Sequence, residues 1–118
     1  MNFGTLRDYC IGKPGATESF PFGDSALVFK VAGKMFALLT PDDLPPSINL
    51  KCDPERALML REQYEAVQPG YHMNKRHWNT ILMDGTVPRP EVFALIDHSY
   101  ELVVASLTKA GHEGLERG

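Results

Sequence analysis

The fold is constrained most by the run from Leu27 to Thr40, where two apolar stretches are folded back on one another across three small residues. Leu27, Phe29 and Val31 alternate with Val28 and Lys30, and Ala32-Gly33-Lys34 returns the chain into Met35 to Thr40. A period of two sends successive side chains to opposite faces of a strand, and a glycine-containing reversal between such runs makes an antiparallel hairpin. Lys30 and Lys34 then lie near its tip.

The flanking segments supply the remaining elements. Phe3, Leu6 and Cys10 are spaced for one side of a helix with Asn2 as its N-cap, and Gly12, Pro14 and Gly15 end it. Thr17 to Phe22 reads as a strand closed by a turn at Gly23-Asp24. Pro41, Pro45 and Pro46 form a loop, after which Ile48, Leu50 and Cys52 face one side of a strand and Ser47, Asn49 and Lys51 the other. Asp53-Pro54 starts a second helix, because Asp53 caps it and proline suits the first helical position. Ala57, Leu60, Tyr64 and Val67 form its stripe, and Gln68-Pro69-Gly70 stops it. Lys75 to Met83 reads as a strand with Arg76, Trp78, Thr80 and Leu82 on one side, followed by a turn at Asp84-Gly85. Pro88 and Pro90 introduce a last helix with a seam of Val92, Ile96, Ser99, Val103 and Leu107, widened by Phe93 and Tyr100.

The predicted order is therefore α-β-β-β-β-α-β-α, a two-layer α+β domain with helices on one face of an antiparallel sheet and the other face free. At 118 residues and 43% hydrophobic, the chain has material for one core. Residues 1–110 form the domain, and the patternless residues 111–118 are expected to be a flexible tail. Two distant cysteines without C-x-x-C spacing, and no leader-like start, predict a reduced cytoplasmic protein, read as a monomer. No apolar run approaches the roughly 20 residues of a membrane-spanning helix.

A net charge of −3 gives no general attraction to nucleic acid, so phosphate binding requires a local patch. One stretch offers it. From Gly70 to Asn79 the chain gathers Tyr71, His72, Asn74, Lys75, Arg76, His77 and Trp78. Lys13, Lys30, Lys34 and Lys51 can join it from loops and strand faces. Lysine and arginine neutralise phosphates, while Asn74, the histidines and other amides supply hydrogen bonds to backbone or base edges. The competing reading makes Trp78 a core aromatic and Arg76 a packing or ion-pair residue beside it.

Across nearly the whole chain the residues resemble the MmcQ/YjbR family of small bacterial proteins. The resemblance is carried by Lys13-Pro14-Gly15-Ala16-Thr17-Glu18, Phe20-Pro21-Phe22-Gly23, Val28-Phe29-Lys30-Val31, Gly33-Lys34-Met35-Phe36-Ala37-Leu38, Asn49-Leu50-Lys51-Cys52-Asp53-Pro54, Pro69 to Asn79, and Asp97-His98-Ser99-Tyr100-Glu101-Leu102-Val103. It implies the two-layer fold above and DNA binding, with two protruding β elements acting as wings.

Other classes find less in the sequence. His72 and His77 are five residues apart, which suits a shared metal only if the backbone bends between them. Asp97 and His98 are adjacent on a helix and do not share a face, which argues against a catalytic pair. Cys10 and Cys52 read as small core residues. No nucleophile-and-base arrangement or glycine-rich phosphate loop is present, so neither catalysis nor a cofactor is expected; an enzyme with a scattered site, which leaves no local signature, is the least favoured alternative. The alternative to DNA is a protein-, peptide- or small-ligand-binding module, for which Phe20, Phe22 and Trp78 are the residues to inspect.

Overall fold

Leu27–Val31 (β3) and Lys34–Thr40 (β4) form the expected hairpin, closed by the two-residue loop Ala32-Gly33. Both loop residues have positive φ, 49° and 80°, the hand that matches the twist of the flanking strands. The computed structural model describes residues 3–42, 45–70 and 73–107, apart from the side chains of Phe22 and Asp24. The expected Asn2 cap, the residues Tyr71 and His72, and the tail at 111–118 lie outside the described residues.

The remaining elements are α1 (Phe3–Ile11), β1 (Ala16–Ser19), β2 (Pro21–Asp24), β5 (Ser47–Lys51), α2 (Pro54–Gln63), β6 (Val67–Pro69), β7 (Trp78–Leu82) and α3 (Arg89–Ala105). One antiparallel sheet runs in the order β1-β3-β4-β5-β7-β6. α3 lies across β3, β4 and β5, α1 against β1, and α2 against β6 and β7. Leu27, Phe29, Val31, Leu39, Ile48, Leu50 and Ile81 face these helices and meet Leu6, Leu60, Val92, Ile96 and Val103 in a single core. This is the two-layer α+β class read from the sequence.

Three boundaries differ from expectation. The strand read over 17–22 is two short ones, β1 and β2, separated at Phe20. The second helix stops at Gln63, where Tyr64 turns extended (φ −128°, ψ 124°). Val67 therefore leaves the helical stripe and pairs with Ile81 in the unanticipated strand β6. The strand read from Lys75 begins only at Trp78, because Asn74 folds 74–77 into a turn. Its side chain accepts from the Arg76 amide (2.9 Å), and its carbonyl accepts from the His77 amide (3.2 Å). Local amide chemistry of this kind competes with a sheet ladder.

A β-bulge shapes the middle of the sheet. Phe29 opposes Ala37 and Lys30 opposes Met35, so Phe36 is an extra residue on β4. Both Phe36 and Ala37 are fully buried as a result. Ser99 of α3 is fully buried beside them, donating to the Phe36 carbonyl (2.5 Å) and accepting from the Lys51 amide (2.9 Å).

The start of α2 is held from two directions. Asp53 accepts from the Arg56 amide (3.2 Å) as N-cap, and the Asp53 amide donates to His98 Nε2 (3.1 Å). That bond requires a neutral imidazole. Burial, and then the charge of Arg56, push the His98 pKa below its ordinary 6.5, against smaller opposing effects of Asp53 and Glu101. The unfolded chain takes up this proton first, so the His98 contribution is complete above the unfolded value and is lost as pH falls through the lower folded value. Chemical denaturation between pH 7.5 and 5 should show stability declining with acidification, and His98→Gln, which cannot titrate, should flatten that slope. In the hairpin loop, Ala32 carries a left-handed strain that asparagine tolerates better; Ala32→Asn should raise unfolding stability by about 1 kcal/mol.

Candidate nucleic-acid interface

The strand register brings most of the expected cations to one end of the sheet. β3 ends at Val31, β4 begins at Lys34, β5 ends at Lys51 and β7 begins at Trp78, each antiparallel to its neighbour. Lys30, Lys34, Lys51 and the turn bearing Lys75 and Arg76 therefore share that end. Alternation sorts them by face. Lys51 pairs with Trp78, on the side of Asn49 and Thr80 and opposite the helix-facing Leu50. Lys30 pairs with Thr17 on that same open face, while Lys34, opposite Val31, is exposed beside the loop.

Ion pairs among the described residues join Arg7 to Glu18, Lys13 to Asp97 and Arg56 to Glu91. None of them uses Lys30, Lys34, Lys51, Lys75 or Arg76. Among the described residues Lys75 donates only to the Gly70 carbonyl, at 3.3 Å. Phosphate could replace that contact at small cost, since the lysine is exposed and the bond is long.

Lys13 does not join this group. Its ammonium bonds Asp97, which also accepts from the Tyr9 hydroxyl (2.7 Å), and lies 4.8 Å from the Tyr9 ring centre and 5.8 Å from that of Tyr100. Burial works against its charge, but Asp97 and Tyr9 outweigh it and raise its pKa. Lys13 ties the end of α1 to α3. Asn74 is the turn former described above, and the His77 carbonyl accepts from the Cys52 amide (2.8 Å), extending the β5–β7 ladder by one bond. His72 lies outside the described residues. Trp78 is half-buried on the open face, so it belongs to neither the helix-covered core nor a fully solvated surface.

Sequence reasoning passed over the residue that positions this turn. Arg61 of α2 donates from Nε to Asn79 Oδ1 (2.7 Å), and from a terminal nitrogen to the carbonyls of Lys75 and Trp78. Asn79 is buried and donates in turn to the Ala57 carbonyl (3.3 Å). The signal was present: Arg61 follows Ala57 by four residues and so shares its inward stripe. Gly70 completes the junction. Its amide donates to the Trp78 carbonyl (2.9 Å), and a Cβ there would lie 2.8 Å from Trp78 Cβ, closer than side chains approach.

Beyond Trp78 the open face mixes polar and apolar residues. Across four strands Leu38, Asn49, Thr80 and Gln68 form one row, and Thr40, Ser47 and Leu82 the next. These residues, without Leu38, line a hollow of about 450 Å3 with Pro69 and Lys75 at its margin. Ser47, Asn49 and Thr80 are only 5%, 5% and 6% exposed, although no described helix covers them. Alternation alone assigns such residues to solvent.

The cysteines are core residues, as read. Burial raises the Cys10 pKa to about 12 and also raises that of Cys52, leaving both thiols protonated. Among the described residues no group of three His, Cys, Asp or Glu side chains is arranged to hold a metal, and no helix is long and apolar enough to cross a membrane. Phe20 is half exposed, and α2 exposes Leu58 and Met59 on its outer side.

A six-stranded antiparallel sheet with three helices on one face and a cation-edged open face defines a class of small α+β domain. The YjbR family model matches residues 11–102. The chain is 38% identical over 104 residues to the uncharacterized protein YjbR of Escherichia coli K12, covering 88% of each chain. It is 37% identical over 114 residues to the uncharacterized protein YbdF of Escherichia coli O157:H7, covering 97% of this chain and 93% of the relative. A crystal structure of Deinococcus radiodurans protein DR2400 has the same fold at a TM-score of 0.92 and 40% identity, over 98% of this chain and 88% of that one. The chain belongs to the YjbR family.

Arg61→Met should release the 74–78 turn while keeping the helix. Hydrogen exchange should accelerate at the His77 and Gly70 amides, with unfolding stability reduced by about 1–3 kcal/mol because buried Asn79 loses its charged donor.

Proposed function

We propose that this protein binds DNA without catalysis, holding backbone phosphates at the cationic end of its sheet. One observation carries the reading: Lys30, Lys34, Lys51, Lys75 and Arg76, distant in sequence, converge on one end with no acidic partner among the described residues. The net charge of −3 makes the attraction local and short-ranged, so it should be sharply salt-dependent. The Arg61 network adds preorganisation, because the turn bearing Lys75 and Arg76 is fixed before any phosphate arrives.

Fluorescence anisotropy of labelled DNA at several salt concentrations tests this. Binding should weaken with salt, and the Lys75→Ala/Arg76→Ala variant should reduce the slope of log affinity against log salt by about 2 if both residues contact phosphates of a duplex. An unchanged slope in a folded double variant would remove those residues from the site, and no binding at low salt would remove the function.

A further inference from the structure

Resting on the DNA-binding reading, we infer that the ligand is single-stranded nucleic acid, laid across the open sheet face with one carbonyl-bearing base seated in the hollow over Asn49 and Thr80. Duplex grooves are entered by a helix or by a free two-stranded ribbon. Among the described residues neither stands at the cationic end. The β3–β4 hairpin is flanked by β1 and β5 over most of its length, so it is part of a sheet rather than a projecting ribbon. α2 starts at this end, but it packs on the other face, and its first turn holds the acidic Asp53 cap and Glu55.

What the open face does present suits a strand of unpaired nucleotides. Trp78 is half-buried there with Lys51 directly beside it, an aromatic surface for a base and a cation for the adjoining phosphate. Thr80 lies two residues further along the same face of β7, about 7 Å away, and opens the hollow. A volume of about 450 Å3 is within the range of small-ligand pockets and admits one base with its sugar. Lys75 at the rim is placed to meet the phosphate of that nucleotide.

The floor favours a particular base chemistry. Thr80 Oγ1 donates to Asn49 Oδ1 (2.5 Å), which fixes the orientation of the Asn49 amide. The Asn49 nitrogen has no partner among the described residues, and no buried side-chain polar atom there is left unsatisfied, so this nitrogen opens on the hollow. Gln68, exposed at the rim, adds a second amide. With its oxygen held by Thr80, Asn49 offers only N–H donors, which suit a carbonyl oxygen of thymine, uracil or guanine and cannot make the paired donor-and-acceptor contact by which a free amide reads adenine.

The experiment compares fluorescein-labelled oligo-dT, oligo-dA and a duplex of matched phosphate number, at one low salt concentration, with the intact chain. Trp78 is the only tryptophan, so its emission reports stacking directly. The expected result is oligo-dT binding about tenfold or more tighter than the duplex and severalfold tighter than oligo-dA, with quenching of Trp78. Asn49→Ala should reduce the dT preference over dA, and the exposed Gln68→Ala should weaken oligo-dT binding severalfold, both without changing the salt slope. Equal affinity for duplex and oligo-dT with unchanged Trp78 emission would overturn this inference while leaving phosphate binding intact. A dT preference unaffected by both variants would overturn the seated base. No binding to any of the three would overturn both this inference and the DNA reading.

Discussion

The structure depends on the place where α3 is stitched to a broken ladder. The bulge at Phe36 turns two consecutive β4 residues into the core, and the β4–β5 register ends at Ala37 and Leu50, one residue short of Phe36 and Lys51. Buried backbone groups are costly when unpaired. The Ser99 hydroxyl serves the Phe36 carbonyl and the Lys51 amide at once, as donor to one and acceptor from the other. Helix α3 is therefore seated at a fixed height on β4 and β5. The same contact orders the Lys51 backbone, so the core and the cationic edge are set by one hydroxyl group.

A second junction fixes the other half of the edge. Arg61 reaches from α2 to the far side of the 74–78 turn and closes on Asn79, which returns a bond to the helix at Ala57. The cation is consumed as a positioning element, and the neighbouring Lys75 and Arg76 are left to face outward. Lys13 illustrates the opposite assignment. It has the same charge and lies near the same end of the sheet, but Tyr9, Tyr100 and Asp97 enclose it and make it part of the α1–α3 contact. Charge alone does not sort the two roles; partners do.

Much of the architecture was legible locally. The 27–40 alternation, the Asp53-Pro54 helix start and the Val92–Val103 seam each express a period and a cap that depend only on near neighbours, and each is found. The errors fall where a side chain or a distant strand overrules that pattern. Val67 fits a helical stripe until Ile81 offers a ladder, and the β-compatible run at 75–77 yields to the Asn74 side chain. On the site, Lys30, Lys34, Lys51, Lys75, Arg76 and Trp78 could be nominated from residue type. Arg61 showed itself only as a charge on an inward stripe, and the importance of Gly70 and of the buried Asn49–Thr80 pair lies in contacts across strands and elements that no local pattern carries.

The sequence by itself determined the sealed face of the sheet and the elements that cover it, since these follow from the periodicity of apolar residues and from capping and turn chemistry, and its residue motifs carried the resemblance to the family. Only the tertiary structure decided which cations are spent on the fold and which remain available, and that polar residues on the open face line a hollow. The reason is that strand pairing sets neighbours by register: Asn49 meets Thr80 across 31 positions and Lys51 meets Trp78, distances in sequence at which no local pattern carries information.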